Sequence, residues 1–474
     1  MNPNEIKSHD IGIIGLGVMG QNLALNMTDK EFSVAGLDID KNKVKTLQEA
    51  NNKNIFATTN ISDFIQSLKI PRIVLLLVPA GNPVDNIIDE LIPFLQNNDL
   101  IIDAGNSHFI DTDRRMQYLQ QKNLQFLGVG ISGGESGARN GPSIMPGGTK
   151  KAYDYVKNIF EAIAAKVDNS SCVTFLGNGS AGHYVKMVHN GIEYGIMQLI
   201  AETYDLMKRG LRLNNNHISH IYQEWANSEL NSYLLEITAK IFKKKDEKTN
   251  DELIDEIMPI AEQNGTGMWT SESSLLLQTP VPTIDAGVIL RDLSVYSDER
   301  SQISKLYPRV IPSLSIDNEI FLIQLRNAYY ASVIITYSQG MKLLQTASQK
   351  YHYQLNLESI ATIWKGGCII RASLLEDIRK AYQSQQQLQH LLLDENISKK
   401  ILSTQEYLRQ MVSHASHLGI PVPAMMASLS YFDIMKTTWI PANLIQAQRD
   451  YFGAHTYERI DTKGKFHTQW EEVN

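Results

Sequence analysis

Short apolar runs alternate with amphipathic stretches over the first third of the chain. The runs have the length of strands, and the stretches between them have helical periodicity. This alternation predicts a mostly parallel, doubly wound sheet with helices on its faces. The predicted strands cover residues 11–14, 32–37, 73–78, 100–103 and 126–129, and two of the predicted helices cover residues 83–96 and 112–121.

From about Ser180 the strand signals fade and long helical patterns take over. One predicted helix covers residues 181–208, and its apolar positions Val185, Val188 and Ile192 indicate a face turned to a core. A polar stripe occupies another face at positions i, i+3, i+4, i+7 and i+8. The stripe consists of Lys186, His189, Asn190, Glu193 and Tyr194.

The helical part repeats itself at a nearly constant spacing. The segment 189–195 resembles the later segment 326–332, and Trp225 has a counterpart in Trp364. Residues 234–236 have a counterpart in 374–376, at almost the same offset. We therefore predict a duplicated helical unit.

The second copy tests whether the polar stripe is only what such a helix needs to fold. When 189–195 is aligned with 326–332, Lys186, Glu193 and Tyr194 become Ile323, Tyr330 and Ala331, and only Asn190 is retained, as Asn327. We favour a functional stripe over a solvated face.

These patterns predict an α/β N-terminal domain, a large all-α domain and an extended C-terminal tail. The boundaries are 1–179, 180–438 and 439–474. The tail crowds aromatic and basic side chains near the chain end, where disorder is usual unless something holds the segment. We therefore expect the tail to dock against a partner.

Composition narrows the class of protein. The chain has 474 residues, a net charge of −7 and two cysteines. An acidic balance argues against a nucleic-acid partner but allows a local cationic pocket for an anionic ligand. The longest apolar run, residues 73–78, is far shorter than the ~20 residues that span a bilayer. We predict a cytoplasmic protein with no membrane partner and reduced thiols.

A glycine-rich motif follows the first predicted strand. Gly15-Leu16-Gly17-Val18-Met19-Gly20 has the Gly-x-Gly-x-x-Gly spacing and opens a helix, as a dinucleotide fold requires. Gly15 allows the tight turn, Gly17 lets a pyrophosphate approach, and Gly20 lets helix and strand pack. The pyrophosphate then lies at the helix N-terminus. The alternative is a tight turn with no ligand.

The next predicted strand ends at Asp38, at about the distance from Gly20 that such a fold requires. A carboxylate there accepts hydrogen bonds from the ribose hydroxyls of NAD and repels a 2′-phosphate. The sequence Asp38-Ile39-Asp40 offers no arginine for that phosphate, so NAD is the preferred cofactor. The neighbouring Lys41 and Lys43 leave NADP as the alternative, and a solvated turn acid is the other interpretation.

Two further segments follow predicted strands, residues 103–107 and 131–148. Their glycines and serines suggest loops with exposed N–H groups that suit a polar ligand, rather than a flexible linker. In the helical part Lys186 and Glu193 form a sensible acid–base pair, because burial lowers the pKa of a lysine. Neither metal-ligand spacing nor a Gly-x-Ser-x-Gly elbow is present, so we expect no metal.

Longer motifs carry a resemblance to a known family. They are residues 15–22, 105–107, 132–134, 141–148, 182–195 and 441–457. Together they resemble 6-phosphogluconate dehydrogenase (decarboxylating) of the long, two-domain type, over essentially the whole chain. The resemblance implies a Rossmann domain, a duplicated helical domain and a homodimer whose tails exchange. It also implies oxidation of 6-phosphogluconate at C3 and loss of CO₂ to give ribulose 5-phosphate, in the pentose phosphate pathway, without a metal.

The resemblance also implies roles for particular residues. Lys186 would take the C3 hydroxyl proton, Glu193 would protonate C1 of the enediol, and Asn190 and His189 would hold the substrate. Asn106, Ser132, Gly133 and Gly134 would hold its carboxylate end. The phosphate end would meet Tyr194, Thr266, Arg291, and Arg449 and His455 of the other subunit. The cofactor set is Gly15, Gly17, Val18, Met19, Gly20, Asp38, Val78 and Asn106.

Three positions depart from the family pattern. Asp38-Ile39-Asp40 replaces the usual Asn-Arg-Thr that holds the 2′-phosphate of NADP, and Pro79 replaces a lysine near the cofactor. Asn264 replaces a lysine that helps to bind the sugar phosphate. These changes keep two alternatives open: a related β-hydroxyacid dehydrogenase with another acid substrate, or a weakly active, cofactor-sensing dimer.

Overall fold

A computed structural model describes residues 8–50, 52–308, 312 and 316–471, so the ends of the first and last predicted parts lie outside it. A seven-stranded sheet forms the N-terminal half in the order β3-β2-β1-β4-β5-β6-β7. The first six strands in this order are parallel, and β7 is antiparallel to β6. The strands are β1 (Ile11–Ile14), β2 (Val34–Leu37), β3 (Ile55–Thr58), β4 (Ile73–Leu76), β5 (Leu100–Asp103), β6 (Gln125–Ser132) and β7 (Ser143–Gly148).

Helices cover both faces of this sheet, which confirms the doubly wound α/β prediction. They are α1 (Val18–Asp29), α2 (Lys41–Glu49), α3 (Ile61–Gln66), α4 (Asn82–Leu91), α5 (Phe109–Gln120), α6 (Gly134–Asn140) and α7 (Lys150–Ile163). A 3-10 turn, Ile92–Phe94, follows α4, and a small hairpin, β8 (Lys166–Val167) with β9 (Ser170–Ser171), follows α7.

The prediction of one long loop over residues 131–148 is wrong. That stretch contains the end of β6, helix α6 and the wholly buried strand β7. Its glycines serve close packing: a Cβ on Gly147 would lie 2.2 Å from the backbone nitrogen of Gly182. Glycine allows this close approach of two backbones. In the sequence alone, such a glycine-rich packed segment looks the same as a flexible loop. The sequence pattern also does not predict strand β3.

The C-terminal half is helical, as predicted. Its helices are α8 (Ala181–Asp205), α9 (Asn215–Ala226), α10 (Tyr233–Ile241), α11 (Leu253–Glu256), α12 (Thr266–Leu276), α13 (Pro282–Ser294), α14 (Ser297–Leu306), α15 (Asn318–Tyr351), α16 (Leu357–Trp364), α17 (Leu374–Ser384), α18 (Glu395–Leu418) and α19 (Pro423–Met435). A π-helical turn, Leu206–Gly210, follows α8, and a 3-10 turn, Leu391–Leu393, precedes α18. No helix among the described residues is long and apolar enough to cross a membrane.

Four pairs of helices lie at a nearly constant spacing along the chain, in agreement with the predicted duplication. Helices α8, α9, α10 and α13 correspond to α15, α16, α17 and α19, and α13 and α19 both begin with a proline at the same position of the first turn. Reciprocal hydrogen bonds join the halves: the N–H of Tyr233 donates to the carbonyl of Arg371 (3.1 Å), and Ser373 donates to Asn231 (2.9 Å). The two halves therefore contact each other reciprocally, through equivalent segments of the repeat.

Each half also caps a helix of the other. Glu202 of α8 accepts hydrogen bonds from the N–H groups of Ala424 (2.7 Å) and Met425 (2.9 Å) at the start of α19. In the equivalent place, Gln339 of α15 accepts one from Thr283 (3.1 Å) at the start of α13. Because the first N–H groups of a helix have no partner within it, these side chains satisfy buried donors.

The tail is not simply extended as predicted, since it contains α20 (Ala442–Gly453). Beyond α20 the chain turns back, and Tyr457 and Phe466 pair through reciprocal backbone hydrogen bonds. Large apolar side chains of the tail nevertheless remain exposed. They include Trp439, Leu444, Ile445, Tyr451, Phe452 and Ile460.

Candidate active site

Helix α8 crosses the carboxyl-terminal part of β6 and carries the predicted polar stripe. A Cβ on Gly130 of β6 would lie 2.3 Å from the Cβ of Lys186, so only glycine allows this crossing. Val185, Val188 and Ile192 are fully buried in the helical core, as their spacing predicted. Strand β6 therefore contacts the first carbons of the Lys186 side chain, which is buried.

Lys186 and Glu193 lie two turns apart and influence each other electrostatically. Burial lowers the pKa of Lys186 from its ordinary value, and the nearby Glu193 opposes this shift only partly. Burial likewise raises the pKa of Glu193, against the attraction of Lys186 and Arg291. Both shifts favour the uncharged forms, a free amine at Lys186 and a protonated carboxyl at Glu193, which are the forms of a general base and a general acid.

His189 links the stripe to the sheet. Its Nε2 lies 3.2 Å from Ser132 Oγ at the end of β6, and its Nδ1 lies 3.0 Å from Asn190 Oδ1. Asn190 in turn donates from Nδ2 to Thr266 Oγ1 (3.0 Å) at the start of α12. Burial holds the pKa of His189 well below its usual range, so this histidine is neutral.

The loop Ser132-Gly133-Gly134 packs against the second helical copy. Gly133 has a φ of 123°, and a Cβ there would lie 2.5 Å from the carbonyl oxygen of Gly367. Nothing lies within 4 Å of where a Cβ of Gly134 would point. The second helical copy therefore packs against the loop at Gly133, while the space beside Gly134 is open to a ligand.

Trp364 of the second copy also contacts the site. Its ring meets that of His189 edge-on, with the centroids 5.6 Å apart. The N–H of Ile369 lies 3.4 Å from Ser132 Oγ. The sequence did not predict the contact between Trp364 and His189. The repeat aligns Trp364 with Trp225 but does not indicate what either ring packs against.

The glycines at the start of α1 have different surroundings. A Cβ on Gly15 (φ 97°) would lie 2.3 Å from the carbonyl oxygen of Leu77, and one on Gly20 would lie 2.0 Å from that of Gly15. At Gly17, the N-cap of α1, nothing lies within 4 Å. The fold itself requires glycine at positions 15 and 20. The open space at Gly17 fits a pyrophosphate at the N-terminus of α1, where no side chain caps the helix. Val18 and Met19 form the first turn beside it.

Asp38 is buried at the end of β2 beside the same loop. Its Oδ2 accepts a hydrogen bond from the N–H of Leu16 (2.7 Å), and its Oδ1 accepts one from Asp40 (2.9 Å). Lys43 Nζ lies 3.6 Å from Oδ2, while the side chain of Ile39 is 98% exposed. Each carboxylate oxygen keeps a lone pair for a ribose hydroxyl.

The Asn106 loop rests on a buried network that the sequence did not reveal. Asp103 accepts hydrogen bonds from Ser107 Oγ (2.6 Å) and from the N–H of Gly105 (3.2 Å). Arg115, buried on α5, donates to Asp103 Oδ2 (3.2 Å) and ties the loop to α4 through Asp85. Asn106 itself is exposed and Val78 is half-buried nearby. The sequence contains no local motif that would predict the pairing of Arg115 with Asp103 and Asp85.

At the far end of the stripe Arg291 stacks on Tyr194, with its guanidinium 3.4 Å from the ring centroid. Asn264 is exposed just before Thr266. Arg449 and His455 lie on the tail, where they contact Gln446 and Phe452. Among the described residues of this single chain, no hydrogen bond, ion pair or ring contact joins either of them to α8. That part of the chain also holds no group of three acidic, histidine or cysteine residues able to bind a metal.

Comparison with known protein families covers both halves. Residues 10–177 match the model described as the NAD binding domain of 6-phosphogluconate dehydrogenase. Residues 182–470 match the model of the 6-phosphogluconate dehydrogenase C-terminal domain. The chain belongs to the 6-phosphogluconate dehydrogenase family.

Other members of this family match along nearly their whole length. The decarboxylating, NADP(+)-dependent 6-phosphogluconate dehydrogenase of Bacillus subtilis is 48% identical over 98% of this chain and 100% of its own. A decarboxylating 6-phosphogluconate dehydrogenase of Synechococcus elongatus is 49% identical over 97% and 98%.

A solved 6-phosphogluconate dehydrogenase structure, from Plasmodium falciparum, superposes with a TM-score of 0.94. It is 43% identical and the match covers 97% of this chain and 100% of that one. It was determined in its apo form, with its cofactor NADP+ and with its substrate 6-phosphogluconate. The family match over residues 10–177 assigns the binding of a nicotinamide dinucleotide, NAD or NADP, to the N-terminal half.

Proposed function

We propose that this chain catalyses the oxidative decarboxylation of 6-phosphogluconate to ribulose 5-phosphate and CO₂, with reduction of a nicotinamide dinucleotide. The observation that carries the proposal is the Lys186–Glu193 pair on α8, beside the Ser132 loop and with pKa values moved in opposite directions by burial. The family's reaction needs one base and one acid at neighbouring carbons, which this pair supplies.

The proposed roles follow from that arrangement. The bound dinucleotide supplies the hydride acceptor at C3. Lys186, whose burial lowers its pKa and so favours the free amine, takes the proton of the C3 hydroxyl, so that a C3 carbonyl forms. That carbonyl takes up the electron pair left when the C1 carboxylate departs as CO₂. Glu193, whose burial raises its pKa and so favours the protonated carboxyl, then delivers a proton to the carbon that lost CO₂.

Neutral His189 and Asn190 orient the substrate in this proposal, and Thr266 fixes Asn190. Asn106, Ser132, Gly133 and Gly134 hold the carboxylate end. Tyr194, Arg291 and the backbone around Thr266 meet the phosphate. The cation–π contact fixes the plane of Arg291, so this guanidinium loses less freedom when it binds an anion.

We also propose a homodimer in which the tail of one subunit completes the site of the other. Large apolar side chains of the tail are exposed, as are Leu275, Leu276, Leu306 and Tyr307 on α12 and around α14. Exposed apolar surface of this extent is typical of a subunit interface. The partition at 179/180 and 438/439 and a cytoplasmic location, consistent with two free thiols, are further proposals.

For the cofactor we propose that NAD is preferred over NADP. Support comes from the buried Asp38 carboxylate and from Ile39, which offers no positive charge to a 2′-phosphate. The test compares kcat/KM for NAD and NADP in the wild type and in Asp38→Asn, with Asp63→Asn on α3 as a matched surface control. A tenfold preference of the wild type for NADP would refute the proposal, and the partial neutralisation by Lys43 would then be the cause to examine.

The activity itself is tested by CO₂ release and dinucleotide reduction with 6-phosphogluconate. Lys186→Met should abolish turnover and leave dinucleotide binding intact. Lys208→Met, beyond the end of the same helix and paired with Asp255, is the control and should keep wild-type turnover. Dinucleotide reduction without CO₂, or only with another acid, would favour the related β-hydroxyacid dehydrogenase. Dinucleotide binding without turnover of any acid would favour the sensing dimer.

A further inference from the structure

One buried carboxylate organises the otherwise exposed tail. Asp450 lies in the last turn of α20 and is fully buried, although its neighbours Arg449 and Tyr451 are exposed. The four hydrogen-bond partners that its carboxylate has among the described residues all follow it in the chain. They are Thr456 N (2.9 Å), His467 Nδ1 (3.0 Å), Thr468 N (3.1 Å) and Trp470 Nε1 (2.9 Å).

The segment held by Asp450 has an unusual backbone. Ala454 (φ 49°) and Thr456 (φ 60°) are both left-handed, and a β-branched residue such as threonine rarely adopts this conformation. Thr456 is held from both sides, because its N–H donates to Asp450 and its carbonyl accepts from Gln446 Nε2. Surroundings that fix a residue so completely in a disfavoured conformation often occur at functional sites.

The residue between these two is His455. Its ring meets that of Phe452 edge-on, with centroids 5.9 Å apart, and a Cβ on Gly453 would lie 2.7 Å from its Nε2. One turn earlier on α20, Arg449 Nη1 donates to Gln446 Oε1 (3.1 Å). Gln446 therefore contacts both the Arg449 side chain and the backbone of Thr456, the residue that follows His455.

We propose that Asp450 is a positioning residue that sets Arg449 and His455 in the geometry that binds the substrate phosphate. The inference rests on the proposed function, which assigns these two side chains to the phosphate end. Burial pushes the pKa of Asp450 upward, but hydrogen bonds, first from His467 and then from Thr468, Trp470 and Thr456, bring it down to about 2. The carboxyl group of Asp450 is therefore ionised near neutral pH and accepts from its donors there.

The test replaces one acceptor oxygen and leaves the volume unchanged. Asp450→Asn turns one oxygen into an N–H₂ donor that faces other donors. Asp461→Asn is the matched control, because this second aspartate of the tail forms an ion pair only with Arg459 in the described chain. The measurements are KM for 6-phosphogluconate, KM for the dinucleotide, kcat, and the inhibition constant of gluconate, which has the same carbon chain as the substrate but no phosphate.

Asp450→Asn should raise KM for 6-phosphogluconate at least tenfold. The KM for the dinucleotide and the inhibition constant of gluconate should stay within twofold, because only the phosphate contacts are displaced. Asp461→Asn should change none of these values. An unchanged KM for 6-phosphogluconate, or an equal loss of affinity for gluconate, would overturn the inference.

Trp470→Phe keeps the test decisive if Asp450→Asn does not fold. It removes one donor to Asp450 and keeps an aromatic ring beside Tyr451 and Tyr457. We expect a KM for 6-phosphogluconate raised about threefold with the same selectivity against gluconate, and equal changes for both compounds would refute the role of Asp450. A wild-type protein that releases no CO₂ from 6-phosphogluconate would instead refute the proposed function.

Discussion

The open space at Gly17 allows cofactor binding to be separated from folding. Gly17→Ala adds a methyl group where no protein atom lies within 4 Å, at a φ of −70° that alanine adopts freely. Restricting the unfolded chain stabilises the protein by about 0.4–1 kcal/mol. Alanine is a poorer N-cap than glycine by a similar amount. We therefore expect the free energy of unfolding to change by less than about 1 kcal/mol.

Dinucleotide binding should respond very differently. The methyl group would occupy the space assigned to the pyrophosphate, and overpacking of a close contact costs about 1–3 kcal/mol. A loss of about 2 kcal/mol corresponds to a roughly thirtyfold higher Kd. Gly20→Ala provides the contrast, because its Cβ would lie 2.0 Å from the carbonyl oxygen of Gly15 and should destabilise the fold itself.

The assay combines urea unfolding with a fluorescence titration of the reduced dinucleotide. Gly17→Ala should unfold like the wild type and bind weakly, and Gly20→Ala should unfold at lower urea. If Gly17→Ala bound the dinucleotide as tightly as the wild type, the pyrophosphate could not lie against this residue. The assignment of the loop would then be wrong.

Three further predictions concern charged groups and the substrate. The plot of kcat/KM against pH should fall on the acid side, where Lys186 gains a proton, and on the alkaline side, where Glu193 loses one. In Glu193→Gln the residual activity should no longer fall on the alkaline side. If it still falls there, a group other than Glu193 causes the alkaline limb. Burial raises the pKa of Glu202 to about 7, so the folded protein favours its protonated form. The contribution of this group to the free energy of unfolding is therefore complete below its ordinary pKa and is lost as the pH rises through 7. Urea unfolding should therefore show Glu202→Gln gaining up to about 3 kcal/mol on the wild type between pH 5 and pH 8, whereas an equal difference at both pH values would contradict this. Asn264→Lys should lower KM for 6-phosphogluconate about tenfold, and an unchanged KM would mean that another residue already supplies the charge.

Local features of the fold could be predicted from the sequence because they depend on neighbouring residues. Strands β1 and β5 have the predicted bounds, and the polar and apolar faces of α8 follow from its periodicity. Glycine is ambiguous at this level. At Gly147 it permits two backbones to touch, while in a loop it permits flexibility, and composition does not separate the two.

Contacts between distant parts of the chain could not be predicted in the same way. Arg115 supports the Asn106 loop and Gly367 walls the Ser132 loop, yet no spacing marks either partner. The tail motif suggested docking but not the helix α20 or the cluster around Asp450. The meeting of Arg449 and His455 with the other site residues requires a second subunit in our proposal, so it remains a prediction.

The reciprocal caps of the helical domain suggest what kind of unit it is. Glu202 in the first half satisfies α19 in the second, and Gln339 in the second satisfies α13 in the first. Each half thus resembles a subunit of a dimer whose two chains have been fused end to end. A break between α14 and α15 should leave two fragments that are unstable alone and reassemble when they are expressed together.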